Sequence, residues 1–138
     1  MKKQLLTLSL LLSTTMFSSL SFGEWEFFFE NPRGDRVYWD KDKVRVSGGL
    51  VYWYNMLDLI KPIPGISLQG VLSISSYYES NCQKLSSTIL STTGFERAMG
   101  KGESETQNYI ENPPMAYIEP GVPGYDLLVL VCDYANNL

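Results

Sequence analysis

Two cysteines carry the most definite chemistry in this 138-residue sequence. Cys82 follows residues 71–81, in which apolar and polar residues alternate, and Cys132 follows the apolar run 127–131. Two cysteines in an exported chain usually pair with each other. Two buried free thiols, or a bridge between molecules, are the alternatives. An intramolecular bond would close a loop of roughly 50 residues and stabilise the fold by about 4 kcal/mol.

Catalytic residue patterns are weak in this sequence. It contains no histidine, the commonest general base and the commonest metal ligand. None of the serines lies in a Gly-x-Ser-x-Gly motif. Glu103 and Glu105 would share one face of a strand, and with Glu111 they suggest a carboxylate pair or a calcium site. Because this segment lacks the central glycine of a calcium loop, a solvated acidic segment is the simpler interpretation. We therefore predict a protein that is not an enzyme and uses no cofactor or metal.

A short basic stripe is the next candidate site. Lys41, Lys43 and Arg45 have the same parity, so in a strand they would point to one side. Such a stripe could meet an acidic partner or a polysaccharide. The alternative is ordinary protection of a sheet edge by charged side chains.

Aromatic residues are more numerous than one face of a small core can hide. They include three consecutive phenylalanines at 27–29, Trp39, and the run 52–54. Aromatic side chains are enriched at protein interfaces. We predict binding of a protein partner, or formation of a homodimer, through the sheet face and the loops at 33–43 and 61–67. The predicted contact residues are Phe28, Trp39, Lys41, Lys43, Arg45, Trp53 and Lys61.

The N-terminal segment has the features of a secretory signal peptide. Two lysines precede the apolar run 5–12, and small residues at 21 and 23 suit cleavage after Gly23. The run is too short to span a bilayer, which takes about 20 apolar residues. No cysteine lies at the cleavage point, so no lipid anchor is evident. We predict an exported chain, periplasmic or secreted to the cell surface, with a single domain at 24–138 and no membrane span after processing.

The charge of the chain excludes some classes of partner. The formal net charge is −4, and removal of a leader with two lysines makes the mature chain more acidic. Acidic proteins bind nucleic acids and anionic membranes poorly. We therefore exclude both as predicted partners.

The elements that must position these residues are mostly strands. Residues 24–30 and 36–40 form a predicted hairpin around a Pro-x-Gly turn. Residues 50–59 are apolar on both faces, as expected of a central strand. Pro62 and Pro64 should end that strand because proline lacks the ladder donor. Strands are also predicted at 71–81 and 84–93, followed by a loop at 94–102.

The remaining segments are ambiguous. Residues 103–112 suit either a short strand or an exposed connector. Residues 125–134 suit a buried strand. They equally suit a helix, in which Pro123 would occupy the first turn and Asp126 would stabilise the N-terminus.

Several of these residues occur in the order typical of one known family. An early Trp25 is followed by Tyr-Trp-Asp at 38–40, Glu-x-x-Cys at 79–82, Pro-Gly at 120–121 and the terminal Cys132. This order resembles the surface-adhesin protein E-like domain family of exported bacterial proteins. The resemblance covers nearly the whole mature chain.

The resemblance implies both a fold and a function. The implied fold is α+β: a small antiparallel β-sheet of five or six strands, packed against one C-terminal α-helix and held by a Cys82–Cys132 disulfide. The implied function is a non-enzymatic role at the bacterial surface, where the named member binds host matrix and plasma proteins. The alternative that we retain is a periplasmic structural or small-ligand-carrying module.

Overall fold

A computed structural model describes residues 24–109, 111–117 and 119–138, so the predicted signal peptide lies outside the described residues. The described chain contains eight strands, two short 3₁₀ helices and one α-helix. The strands are β1 (Glu26–Glu30), β2 (Arg36–Trp39), β3 (Arg45–Ser47), β4 (Leu50–Ile63), β5 (Val71–Asn81), β6 (Ser86–Arg97), β7 (Lys101–Asn108) and β8 (Met115–Tyr117). The 3₁₀ helices span Lys41–Lys43 and Ala98–Gly100, and the α-helix is α1 (Pro123–Ala135).

All of the strands join one antiparallel sheet. Its main path runs β1-β2-β4-β5-β6-β7, while β3 pairs with β4 and β8 pairs with β6. The six strands of the main path agree with the predicted five or six. The two additional strands have only three residues each, too few to show a period in sequence.

The C-terminal segment is a helix, as the family resemblance implied. Pro123 lies in the first turn and Asp126 close behind it, where proline and a negative charge both favour a helix start. Its buried residues are Leu127, Leu128, Val131, Cys132 and Ala135. Their spacing of three and four residues gives the helix one apolar stripe.

The core lies between this stripe and one face of the sheet. On the sheet side its members are Trp39, Val44, Val51 and Trp53, and on the helix side Leu127, Val131 and Ala135. Because side chains alternate along a strand, Val51 and Trp53 point to α1, and Tyr52 and Tyr54 point away. The predicted disulfide between Cys82 and Cys132 is present and joins the end of β5 to α1.

A buried polar chain crosses this core. The indole Nε1 of Trp53 donates to the hydroxyl of Ser80 at 2.8 Å, and that hydroxyl lies 2.6 Å from the hydroxyl of Ser87. Ser80 and Ser87 are 1% and 2% exposed. Each of these three polar atoms therefore has a hydrogen-bond partner across β4, β5 and β6, which allows their burial.

Two predicted element ends were wrong. β4 continues through Pro62 to Ile63, because the pairing with β5 is irregular between Asp58 and Ile63 and demands no regular donor there. The predicted loop at 94–102 is reduced to the 3₁₀ helix at Ala98–Gly100. β6 continues through Gly94 to Arg97, since a Cβ on Gly94 would lie only 3.2 Å from Val71 and the bare backbone allows the close approach.

The strand alternative holds for most of residues 103–112. β7 covers Lys101–Asn108 and pairs with β6. Its side chains are exposed except for Glu105, which agrees with the interpretation of an acidic, solvated segment.

Candidate interaction surfaces

The sheet face opposite α1 carries an aromatic cluster, which we call the tyrosine face: Tyr38, Tyr52, Tyr54 and Tyr77. The rings of Tyr54 and Tyr77 stack with their centroids 4.4 Å apart. The ring centroids of Tyr52 and Tyr77 are 6.3 Å apart. All four side chains are half-buried. The cluster is therefore ordered by its own stacking while its outer edges meet solvent.

Small hydroxyl side chains surround the tyrosines on the same face. Tyr77 pairs with Ser91, and Thr93 lies between Ser75 and Thr106 in register. The hydroxyls of Thr93 and Thr106 are 2.9 Å apart. Tyrosine and serine are both enriched in antibody binding loops, where tyrosine supplies contact area at low entropic cost.

Glu79 fixes one edge of the tyrosine face. The phenol of Tyr52 donates to its carboxylate at 2.8 Å. This hydrogen bond raises the pKa of Tyr52, because ionisation would place two negative oxygens side by side. Tyr52 is therefore held as a neutral donor with its ring in a fixed position.

Two cations border the tyrosine face. The Lys43 ammonium lies 5.6 Å from the centre of the Tyr54 ring, within the range of a cation–π contact. Arg45 is the cross-strand partner of Tyr52. The strand geometry predicted for the basic stripe was wrong, because Lys41 and Lys43 lie in a 3₁₀ helix whose N-cap is Asp40. Lys41 instead pairs with Glu26 at 3.1 Å.

The aromatic residues predicted as partner contacts lie on the other side of the sheet. Trp39 and Trp53 are each 3% exposed in the core beneath α1, and Phe28 packs against the same core. In the folded chain these three side chains pack rather than face solvent. The signal for the tyrosines was present: one parity of β4 carries Tyr52 and Tyr54, whose hydroxyls suit a half-exposed position.

A second candidate surface lies at the far end of β4, and we call it the isoleucine tip. It consists of Ile60, Ile63 and Ile66, which are 57%, 43% and 79% exposed. Pro62 and Pro64 separate them and are exposed as well. Lys61, one of the predicted contact residues, lies exposed within this tip.

The side chain of Glu105, on β7, binds the backbone of the loop that carries Ile66. Its carboxylate accepts hydrogen bonds from the backbone of Ile66 at 2.7 Å, of Ser67 at 2.6 Å and of Leu68 at 3.2 Å, and from the Ser67 hydroxyl at 2.7 Å. A Cβ on Gly65 would collide with this carboxylate. The loop is therefore built around one acidic side chain from β7.

Asp35 anchors the start of the tip to the first hairpin. One carboxylate oxygen accepts from Ile60 N–H at 3.1 Å, and the other accepts from the Asn31 amide at 3.0 Å and pairs with Arg33 at 2.9 Å. The Asn31 and Ile60 hydrogen bonds lower the pKa of Asp35. The structure thus joins Asp35 to the end of β4 at Ile60, next to Lys61. Lys43 lies elsewhere, beside Tyr54.

Acid should loosen the isoleucine tip. The hydrogen bonds from Ser67, Ile66 and Leu68 lower the pKa of Glu105 from its ordinary 4.5 to about 2. Because the folded pKa is depressed, the stabilisation is complete above 4.5 and is lost as the pH falls towards 2. In urea unfolding across this range, we expect E105Q to be less stable than the wild type at neutral pH and to converge with it in acid. E103Q, on the same strand, is the control, and parallel curves for wild type and E105Q would contradict this role.

The fold defines a class: a small antiparallel sheet covered on one face by a C-terminal helix and joined to it by a disulfide. The chain belongs to the Surface-adhesin protein E family, whose sequence profile matches residues 25–133. This membership confirms the resemblance found in the sequence. No curated protein sequence matches the chain.

Solved structures of a family member have the same fold. The structure of Haemophilus influenzae protein E superposes with a TM-score of 0.64 at 16% identity, covering 81% of this chain and 86% of that one. A second crystal form of that protein gives a TM-score of 0.63, also at 16% identity, over 72% and 82% of the two chains. At this identity the likeness establishes the fold.

Among the described residues, no helix has both the length and the apolar character needed to cross a bilayer. In the part of the chain that the structure describes, the single α-helix is α1, which has 13 residues.

Proposed function

We propose that this protein is a non-enzymatic, exported, adhesin-like protein that binds a protein partner at or outside the cell envelope through the tyrosine face. Family membership supports the adhesin-like role. Export is supported by the signal-peptide features of residues 1–23 and by the disulfide, since such bonds persist in oxidising compartments.

One observation supports the choice of the tyrosine face as the binding surface. The sheet presents an open, ordered aromatic face on the side that α1 leaves uncovered. Tyr54 and Tyr77 are already stacked, and Tyr52 is fixed by Glu79, so a partner would not have to immobilise these side chains. Pre-ordered side chains reduce the entropic cost of association. Lys43 and Arg45 at the border favour a partner with acidic groups near the contact.

The test is capture of the partner by purified protein and by matched variants. We expect Y54S combined with Y77S to weaken binding by about a hundredfold, because central aromatic side chains dominate interface energies. Y125S on α1 is the control, since it removes a half-exposed tyrosine from the opposite side of the sheet. Candidate partners are matrix-type proteins and envelope proteins.

Equal binding by the wild type, the Y54S and Y77S double variant and Y125S would overturn the proposed surface. A purified chain that retains a small molecule and binds no protein would favour a periplasmic ligand-carrying or structural module instead.

A further inference from the structure

We infer that the isoleucine tip inserts into the interface of a zwitterionic lipid bilayer. This lipid contact is separate from protein binding by the tyrosine face, and neither depends on the other. Three exposed isoleucines occur within seven residues, two of them at the end of β4 and one in the loop that follows. Single exposed apolar side chains are ordinary, whereas a cluster of them marks a contact surface.

The backbone N–H groups at residues 64–68 need no hydrogen bond to water. The N–H groups of Ile66, Ser67 and Leu68 donate to Glu105, and Gly65 N–H donates to the Leu68 carbonyl at 3.1 Å. Pro62 and Pro64 have no N–H group. From residue 64 to 68, therefore, every backbone donor is either paired or absent. Taking an unpaired donor out of water is costly, and this loop avoids that cost before any contact is made.

The charges around the tip favour a lipid headgroup. The carboxylates of Asp35 and Glu105 are occupied by hydrogen bonds within the protein. Lys61 is exposed, and in the described part of the chain it forms no salt bridge. A lysine beside inserted apolar side chains can extend its ammonium to a lipid phosphate while its stem stays in the apolar layer.

The net charge of the chain and the apolar character of the tip indicate which kind of membrane it would bind. The chain is acidic, with a formal net charge of −4, so anionic bilayers should repel it. Zwitterionic phosphatidylcholine has no net charge and still presents phosphates. Insertion of isoleucine is also insensitive to salt, because the hydrophobic effect is not screened as charge interactions are.

The experiment is flotation of the processed protein with phosphatidylcholine vesicles. We expect the wild type to float with the vesicles, and I66S to lower the vesicle-bound fraction about tenfold, since burial of one isoleucine side chain contributes free energy of that order. V46S is the matched control. Val46 is 54% exposed but pairs with Val51 at the start of β4, roughly 40 Å along the strand from Ile63.

A second variant tests the paired donors. E105A keeps all three isoleucines but frees the N–H groups of the loop, so it too should reduce flotation. All variants share one N-terminus, so any contribution from it cancels between them.

Three results would overturn the inference: a wild type that does not float, equal flotation of I66S and V46S, or flotation lost when phosphatidylcholine vesicles are tested at high salt. If I66S lost a protein partner while flotation stayed unchanged, the tip would instead fit an apolar groove on that partner. Loss of flotation with intact protein capture leaves the proposed function standing, and the reverse leaves the lipid contact standing.

Discussion

Removal of the disulfide should cost this domain a large part of its stability. We expect C82A combined with C132A to lower the free energy of unfolding by about 4 kcal/mol, the chain-entropy value for a loop of this size. The two cysteines are separated by 50 residues. Small domains have a net stability of about 5–15 kcal/mol, so the variant should be partly unfolded near body temperature.

The position of the bond adds to this effect. Cys132 is 6% exposed in α1, and Cys82 packs against the same core. Without the bond, the contacts that hold α1 to the sheet among the described residues are those of side-chain packing. Urea unfolding of the oxidised and the reduced wild type provides the comparison, with no change in sequence. Identical midpoints, or free thiols titrated in the native protein, would contradict the intramolecular bond.

Truncation of Trp53 should have an effect of similar size. We expect W53A to lower the free energy of unfolding by about 3–5 kcal/mol, as is usual for a large aromatic residue removed from a core. Trp53 is 3% exposed and stacks on Tyr78 with centroids 4.6 Å apart. It also starts the hydrogen-bond chain through Ser80.

A milder variant separates packing from hydrogen bonding. W53F keeps an aromatic ring but removes the indole donor to Ser80, and it should cost about 1–3 kcal/mol. Y54A, the neighbour on the open face, should cost less than W53A. If W53A left stability within about 0.5 kcal/mol of the wild type and instead abolished partner binding, Trp53 would be a surface contact, as the sequence suggested.

The fold could be predicted where a short segment, or the single pair of cysteines, carried the signal. Alternation of apolar and polar residues indicated β5, the two cysteines indicated the disulfide, and Pro123 with Asp126 was compatible with the start of α1. The family resemblance resolved the choice between helix and strand for α1. Ends of elements were less predictable, because Pro62 and Gly94 are breakers in isolation but fit an irregular pairing and a close backbone approach in the folded sheet.

The interaction surfaces could be predicted only in part. β4 is apolar on both parities, so the sequence alone does not say whether α1 covers Trp53 or Tyr54. That choice depends on packing against a helix about 75 residues further along the chain. Residues 61–67 were predicted as a loop that contacts a partner, but residues 61–63 belong to β4, and the support of the loop by Glu105 was not predicted. Glu105 lies 39 residues after Ile66, and no local pattern links a strand carboxylate to a distant loop.

We propose that the tyrosine face binds a protein partner outside the cytoplasm. The most direct measurement places a photo-cross-linkable phenylalanine analogue at Tyr77 or, as control, at Tyr125, and irradiates the native host cells. We predict a covalent adduct from Tyr77 alone, with an envelope or external protein. An adduct with a cytoplasmic protein, or the same adducts from both positions, would contradict the claim.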